Sequence, residues 1–384
     1  MYFSTIKTVP RLSNMADLLK SLILVSEKAA NIARICRQNE YLFSKLIEEK
    51  TNDANPRFYQ DFKTLADVLI QESIRHDISK KFPELYDFIQ GEENNKFSNT
   101  EGETIIVCVK ESENETCALL QKVCDDLACA EILAKEVHRE ITFEDTKDIT
   151  SHDFPLFEIE DIKDIAIWID PIDSTLEYIQ GVQKESVLEG VPSNGLICAT
   201  VLIGVYCQST GIPILGVINQ PFHRKVDDRY FSKIYWGLAL DSLTKYSERD
   251  IESENGGNLK IAVSSTEKEE LINFLKEQGM QTVPLAGAGY KILNVIIDNC
   301  DCFILSKRST YKWDICGPHA ILKSMGGGIL QFTDTVSYAT VSEIPSDLNI
   351  KYNKEQKNLD GLIAYKDPRK LQKLLSIFYN EYEK

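Results

Sequence analysis

A layered α/β fold is predicted for this chain of 384 residues. Three observations predict it. Apolar side chains recur at helical spacing near the N-terminus, and short runs rich in β-branched residues fill the middle of the chain. Beyond residue 258, strand-like and helix-like segments alternate, which implies helices layered on a sheet.

Residues 18–39 place Leu22, Val25, Ala29, Ile32 and Ile35 on one helical face, and a second helix is expected over residues 62–74. Residues 96–104 are polar and expected to form a loop, and residues 117–137 a third helix. Residues 164–170 form an apolar strand pattern ended by Asp170-Pro171, where proline forbids further pairing. Residues 195–207 and 212–219 follow as strands joined by a turn at Ser209-Thr210-Gly211, and residues 230–240 as another strand. The polar stretch 241–258, with Gly256-Gly257, is the expected boundary between an α+β half (residues 15–250) and an α/β half (residues 251–384). In the second half strands are expected at 260–263, 302–305, 329–332 and 362–365, and helices at 267–278, 290–298, 313–325 and 369–382. Gly326-Gly327-Gly328 stands in C-cap position after the third of these helices. Residues 1–14, with Lys7 and Arg11 and no acid, are expected to be a flexible extension.

The composition is 43% hydrophobic and 27% charged, as expected of a soluble globular protein. With 43 Lys and Arg against 59 Asp and Glu, the net charge of −16 argues against a nucleic-acid or membrane surface. It leaves a phosphorylated substrate open, because bound divalent cations reverse the sign of an acidic pocket. The ten cysteines form no Cys-x-x-Cys pair and are expected to be reduced thiols in a cytoplasmic protein. No apolar run reaches membrane-spanning length.

Four acidic pieces carry the candidate chemistry. In Asp170-Pro171-Ile172-Asp173-Ser174-Thr175 a strand delivers Asp170, proline turns the chain, and Asp173 returns to the same side. Two carboxylates set by a turn can hold hard cations through oxygen, the Ile172 carbonyl can add a ligand, and the N–H groups after Asp173 can form an anion nest. The same piece is equally compatible with a turn and a helix cap. Glu92-Glu93 after Gly91 is compatible with a solvated element end, and Asp314 after Trp313 with an ordinary N-cap. Asp67 lies in an apolar helical stretch, where burial unpaired is costly, or else on its polar side. Gly287-Ala288-Gly289 lacks the third glycine and the preceding strand of a dinucleotide loop, and the five histidines show no metal-ligand spacing.

Taken together and in order, Glu92-Glu93, Trp168 to Thr175 and Trp313-Asp314 resemble the three-part signature of the inositol monophosphatase superfamily. Asp61 to Asp67, Gly216 to Phe222, Gly287 to Lys291 and His319 to Leu322 extend the resemblance over nearly the whole chain. Ser174-Thr175, where the monophosphatases usually carry Gly-Thr, points away from the monophosphatases.

The resemblance implies an αβαβα sandwich of the inositol monophosphatase/fructose-1,6-bisphosphatase type, with the site in the cleft between the halves. It implies two or three Mg²⁺ ions, inhibition by Li⁺, and hydrolysis of the 1-phosphate of inositol polyphosphates without a covalent phosphoenzyme. Glu92, Asp170 and the Ile172 carbonyl would hold one ion, and Asp170, Asp173 and Asp314 a second. Asp67 and Glu93 would help place a third ion or the attacking water. Thr175, with Glu92 or Asp67, would orient that water, and Asp173, Ser174 and Thr175 would contact substrate. Residues matching Thr266, Lys268, Gly287 and Lys291 line the inositol phosphate pocket in the family. The implied partner is a phosphorylated inositol, with no nucleic acid and no membrane, and the implied state is a monomer. A 3′(2′),5′-bisphosphate nucleotidase of the same superfamily and a catalytically silent phosphoinositol-binding protein are the alternatives. Cys316-Gly317-Pro318 and Leu176-Glu177 depart from the family pattern, with Pro318 expected in the first turn of its helix, where proline is tolerated.

Overall fold

Helix α1 (Asn14–Gln38) follows the predicted periodicity and buries Leu18, Leu22, Val25, Ala29 and Ile32. The computed structural model describes residues 14–38, 43, 47–49, 62–98, 102–146, 149, 154, 155, 157, 161–247, 257–353 and 355–382. The expected N-terminal extension therefore lies outside the described residues, save Asn14, which already belongs to α1. Strand β1 (Ile47–Glu49) pairs antiparallel with β2 (Phe62–Thr64), and α2 (Leu65–Lys81) follows at once. The predicted second helix thus starts three residues late, because Thr64 is extended (φ −115°, ψ 164°) and acts as its N-cap. Strand β3 (Ile89–Gly91) precedes a small hairpin of β4 (Lys96–Ser98) and β5 (Thr104–Ile106), whose strands replace the two ends of the predicted 96–104 loop. The single helix expected over 117–137 is two, α3 (Glu113–Cys124) and α4 (Leu127–His138). Asp125 turns left-handed (φ 53°), and the Asp126 carboxylate accepts the Cys129 N–H in its place as N-cap.

Strand β6 (Ile165–Asp173) does not stop at Pro171 as expected. Asp170 faces Leu202, and Asp173 next faces Thr200, so one strand carries an extra residue. Proline is tolerated at such a bulge because no ladder N–H is required there. After α5 (Thr175–Gln180), β7 (Lys184–Glu185) and β8 (Pro192–Asn194), a 3₁₀ turn at Leu196–Cys198 occupies the start of the predicted 195–207 strand. Strand β9 (Thr200–Cys207) turns at Gly211 (φ 74°) into β10 (Pro213–Val226), which pairs with β11 (Arg229–Leu240). Strand β12 (Leu243–Tyr246) edges the sheet from within the stretch expected to be a linker, while residues 248–256 lie outside the described set.

In the second half, β13 (Lys260–Val263), α6 (Glu269–Glu277), β14 (Gln281–Pro284), α7 (Ala288–Ile296), β15 (Cys302–Leu305), α8 (Lys312–Ser324), β16 (Gly328–Gln331), α9 (Phe332–Thr335), β17 (Leu362–Tyr365) and α10 (Pro368–Tyr382) follow. Strand β14 is the one the sequence pattern missed. The six-stranded sheet runs β12-β11-β10-β9-β6-β3 and the five-stranded sheet β14-β13-β15-β17-β16.

Alternation along the strands sets the layers. Ile165, Ile167, Ile169, Val201, Ile203 and Val205 join the core under α1 and α2, whereas Ala166, Trp168, Leu202 and Tyr206 face α7 and α8. In the second sheet Ala262, Phe303, Leu305 and Ala364 meet that same middle helical layer, and Ile261, Val263, Ile304 and Ile363 face α6 and α10. The result is the expected αβαβα sandwich.

Helix α8 lies unusually close to the six-stranded sheet. Gly204, Gly216 and Gly237 are aligned across β9, β10 and β11. A Cβ on Gly216 would stand 2.0 Å from the Gly317 carbonyl oxygen, and one on Gly204 2.4 Å from the Gly317 nitrogen. Both obstacles are backbone, so neither can swing aside. Gly216→Ala is therefore expected to cost about 1–3 kcal/mol, the usual range for overpacking. Urea denaturation should show a lowered midpoint at unchanged slope, and an unchanged midpoint would mean that α8 can slide.

Candidate active site

The bulge in β6 puts Asp170 and Asp173 at the junction of the two halves. Asp170 is 1% exposed, and its Oδ1 is buried without a hydrogen-bond partner. Burial, followed by the carboxylates of Glu92, Asp173, Asp314 and Asp67, pushes its pKa well above the usual range. Asp173 Oδ2 accepts the Gly289 N–H at 2.9 Å and Oδ1 the Ala288 N–H at 3.3 Å, which seats it on the N-terminus of α7. Its pKa is pushed up to about 6, chiefly by burial, against the lowering effects of Lys291 and of those two N–H groups. The predicted absence of a strand before Gly287 is thus corrected by β14. The reading against a dinucleotide loop stands on the missing third glycine, and the N–H groups of Ala288 and Gly289 serve a carboxylate of the chain itself.

Gly287 is required at this junction. Its φ is 72°, and a Cβ there would lie 2.1 Å from Ser174 Oγ and 2.6 Å from Asp173 Oδ2. Ser174 is itself left-handed (φ 71°), with its Oγ buried and without a partner. Thr175 Oγ1 donates to the Ile172 carbonyl at 3.1 Å, which leaves that carbonyl a second lone pair. Lys291 is buried, donates to the Gly287 carbonyl at 2.6 Å and lies over the Phe303 ring.

The remaining carboxylates arrive from three other elements. The Glu92 N–H donates to the Ile169 carbonyl at 3.1 Å, extending the β3–β6 pairing by one residue and bringing Glu92 beside Asp170. Gln71 of α2 accepts the Glu93 N–H at 2.9 Å and donates to the Glu93 carbonyl. Gly91 makes this possible, since a Cβ there would meet Gln71 Oε1 at 2.1 Å. Asp67 is not in mid-helix as the apolar run suggested. It is the third residue of α2, with Oδ2 accepting from the Thr64 N–H and hydroxyl at 2.6 and 2.7 Å. Asp314 is the third residue of α8, and its Oδ2 accepts the Tyr311 N–H at 2.8 Å. Burial and then the charges of Asp173 and Glu92 raise its pKa strongly. Pro318 lies inside α8 and not in its first turn as expected, so it withholds the N–H that would bond the Asp314 carbonyl.

Thr266 and Lys268 are exposed on the loop after β13. Gln71, Tyr311 and Glu177 escaped the sequence reading, because what matters in each is a long-range or backbone partner. Glu177, for one, accepts from Asn194 Nδ2 and the Gly195 N–H at 2.8 and 2.7 Å and ties α5 to the segment before β9.

Among the described residues, no group of three His, Cys, Asp or Glu side chains is closed to the spacing of a preformed metal cage. The carboxylates nonetheless act strongly on one another. Buried carboxylates without counter-charge are costly and need protons or cations. An orphaned Asp170 oxygen within an all-oxygen donor set fits a hard divalent ion.

An α/β sandwich with buried acids gathered where its two halves meet defines a class of metal-dependent phosphatases, and comparison with known proteins agrees. The model of the inositol monophosphatase family matches residues 71–369. The chain belongs to that family, whose members are generally metal-dependent. It is 40% identical over 392 residues to the inositol polyphosphate 1-phosphatase of Mus musculus, covering 94% of this chain and 97% of the relative. It is 26% identical to 3′(2′),5′-bisphosphate nucleotidase 1 of the same species, over 79% of each chain. Among solved structures, the Thermotoga maritima IMPase matches with a TM-score of 0.52 at 16% identity, covering 95% of this chain and 97% of that one, which supports the fold.

A cation-dependent balance in this cluster has a readout that needs no catalysis. Without divalent ions, Asp170→Asn is expected to be more stable than wild type by about 1 kcal/mol or more, because the cost of burying or protonating an uncompensated carboxylate is removed. Magnesium should raise the melting temperature of wild type through linkage and leave the variant nearly unmoved. Equal magnesium-induced shifts in both proteins would rule out Asp170 as a ligand.

Proposed function

We propose that this chain is a magnesium-dependent phosphoric monoester hydrolase that removes the 1-phosphate of inositol polyphosphates such as inositol 1,4-bisphosphate and inositol 1,3,4-trisphosphate. The observation that carries the reading is the convergence of Asp67, Glu92, Asp170, Asp173 and Asp314 on one junction. The relatedness to inositol polyphosphate 1-phosphatases over almost the full chain supports the substrate class.

Glu92, Asp170 and the Ile172 carbonyl would hold one magnesium, Asp170, Asp173 and Asp314 a second, and Asp67 with Glu93 a weaker third. When bound, magnesium supplies charge neutralisation for the phosphoryl group and makes a neighbouring water more acidic. The chain's own residues do the positioning. The Thr175 hydroxyl proton is committed to the Ile172 carbonyl, so its oxygen is left as an acceptor that can orient a water with Glu92 or Asp67. Ser174 Oγ has a proton to offer a phosphate oxygen. Lys291 adds positive charge beside Asp173. Among the described residues Ser174 Oγ has no hydrogen-bonded base to activate it, which favours direct attack by water over a covalent phosphoenzyme. Inhibition by lithium through a magnesium position, monomeric state, and a cytoplasmic location without nucleic-acid or membrane partners belong to the same proposal. No described helix is long and apolar enough to cross a membrane.

Asp173→Asn keeps an acceptor for the N–H groups of α7 and removes a charge. Turnover of inositol 1,4-bisphosphate is expected to drop on the order of a hundredfold or more, with the circular dichroism spectrum unchanged. Near-normal magnesium-dependent phosphate release by this variant would defeat the assignment. The nucleotidase alternative is decided by comparing inositol 1,4-bisphosphate with adenosine 3′,5′-bisphosphate under the same conditions, where the first is expected to be hydrolysed faster.

A further inference from the structure

Strand β3 ends the six-stranded sheet, so it has β6 on one side and, among the described residues, no strand on the other. Buried backbone groups on such an edge need a partner from elsewhere. At the carboxyl end of β3 the two sides are served differently. The Glu92 N–H bonds the Ile169 carbonyl of β6 at 3.1 Å. One residue on, the Glu93 N–H and carbonyl are both taken by the side-chain amide of Gln71, which accepts the first at 2.9 Å and donates to the second. Gln71 is 1% exposed and Glu93 8%. The amide can lie only one way round, because reversal would set N–H against N–H and oxygen against oxygen. One side chain thus supplies both bonds that a facing residue of an antiparallel strand would make.

Gln71 stands four residues after Asp67 on α2, so the two share a face of that helix. Asp67 is itself held by the Thr64 N–H and hydroxyl. The amide therefore fastens the helix that bears Asp67 to the corner that bears Glu92 and Glu93. Gly91 belongs to the same device, since a Cβ there would stand 2.1 Å from Gln71 Oε1.

We infer that Gln71 is a positioning residue for divalent-cation binding, setting the Glu92-Glu93 corner against Asp67. The inference rests on the reading of these three acids as cation ligands. Gln71 spends its amide on backbone, so it acts through the glutamates and not on the reacting groups. Outer partners of this kind govern metal affinity by about ten- to a hundredfold. The need is for capture of the cation, so high magnesium should restore turnover.

The test is Gln71→Leu, which fills nearly the same space and removes both bonds. Magnesium titration of the substrate-free protein, followed by the rise in melting temperature, is expected to give an apparent affinity about tenfold weaker than wild type. In hydrolysis of inositol 1,4-bisphosphate, the magnesium concentration for half-maximal rate should rise by a similar factor. At saturating magnesium, kcat and the KM for substrate should stay within about threefold of wild type. A purely structural role would lower the melting temperature and leave magnesium affinity unmoved, and that result overturns the inference while the ligand reading stands. If the leucine variant does not fold, Gln71→Asn keeps the amide, withdraws it by one methylene, and is held to the same two outcomes. Wild-type protein that takes up no magnesium overturns the ligand reading and this inference with it.

Discussion

Three helices aim their N-termini at one cluster of carboxylates. Asp67 caps the first turn of α2, Asp314 sits in the first turn of α8, and Asp173 receives the leading N–H groups of α7. Each helix end carries a partial positive charge that favours an anion within its first turn. A group of buried acids that would otherwise repel one another is thus held together by backbone dipoles from both halves of the molecule. Asp170, which caps no helix, is left with a bare oxygen and a strongly raised pKa.

The middle helical layer makes this convergence possible. Helix α8 reaches the six-stranded sheet because glycine stands at one level on three adjacent strands and at position 317 on the helix. Helix α7 is located by Gly287, which clears the space that Ser174 and Asp173 occupy. Small residues here are therefore a requirement of distance, since any side chain would hold the two halves apart and with them Asp314 and Asp170. Trp168, two residues before Asp170, packs against Trp313 with ring centroids 5.9 Å apart, so both acids stand on a shared aromatic contact.

Much of this was legible in the sequence, and the rest was hidden for identifiable reasons. Periodicity located α1, β11 and nearly all elements after residue 258. The order of the acidic pieces pointed to their meeting. What failed was local chemistry whose meaning depends on a partner. Asp170-Pro171 looks like the end of a strand, yet the bulge opposite Leu202 and Thr200 lets the strand continue. Asp67 looks buried in an apolar helix until Thr64 is seen to start that helix. Residues 281–284 carry a glutamine, a threonine and a proline and give no strand pattern, but β13 supplies a parallel partner. The interlocking of Gln71 with Glu93, and of Glu267 with Ser306, spans 22 and 39 residues and leaves no trace in local spacing.

The charge distribution leaves the junction unable to take an anion on its own. There the acids are concentrated and buried, and helix ends hold them in place. The bare site repels a phosphate, and bound divalent cations would reverse that sign. On the function proposed above, cation binding would therefore precede or accompany the binding of an anionic substrate.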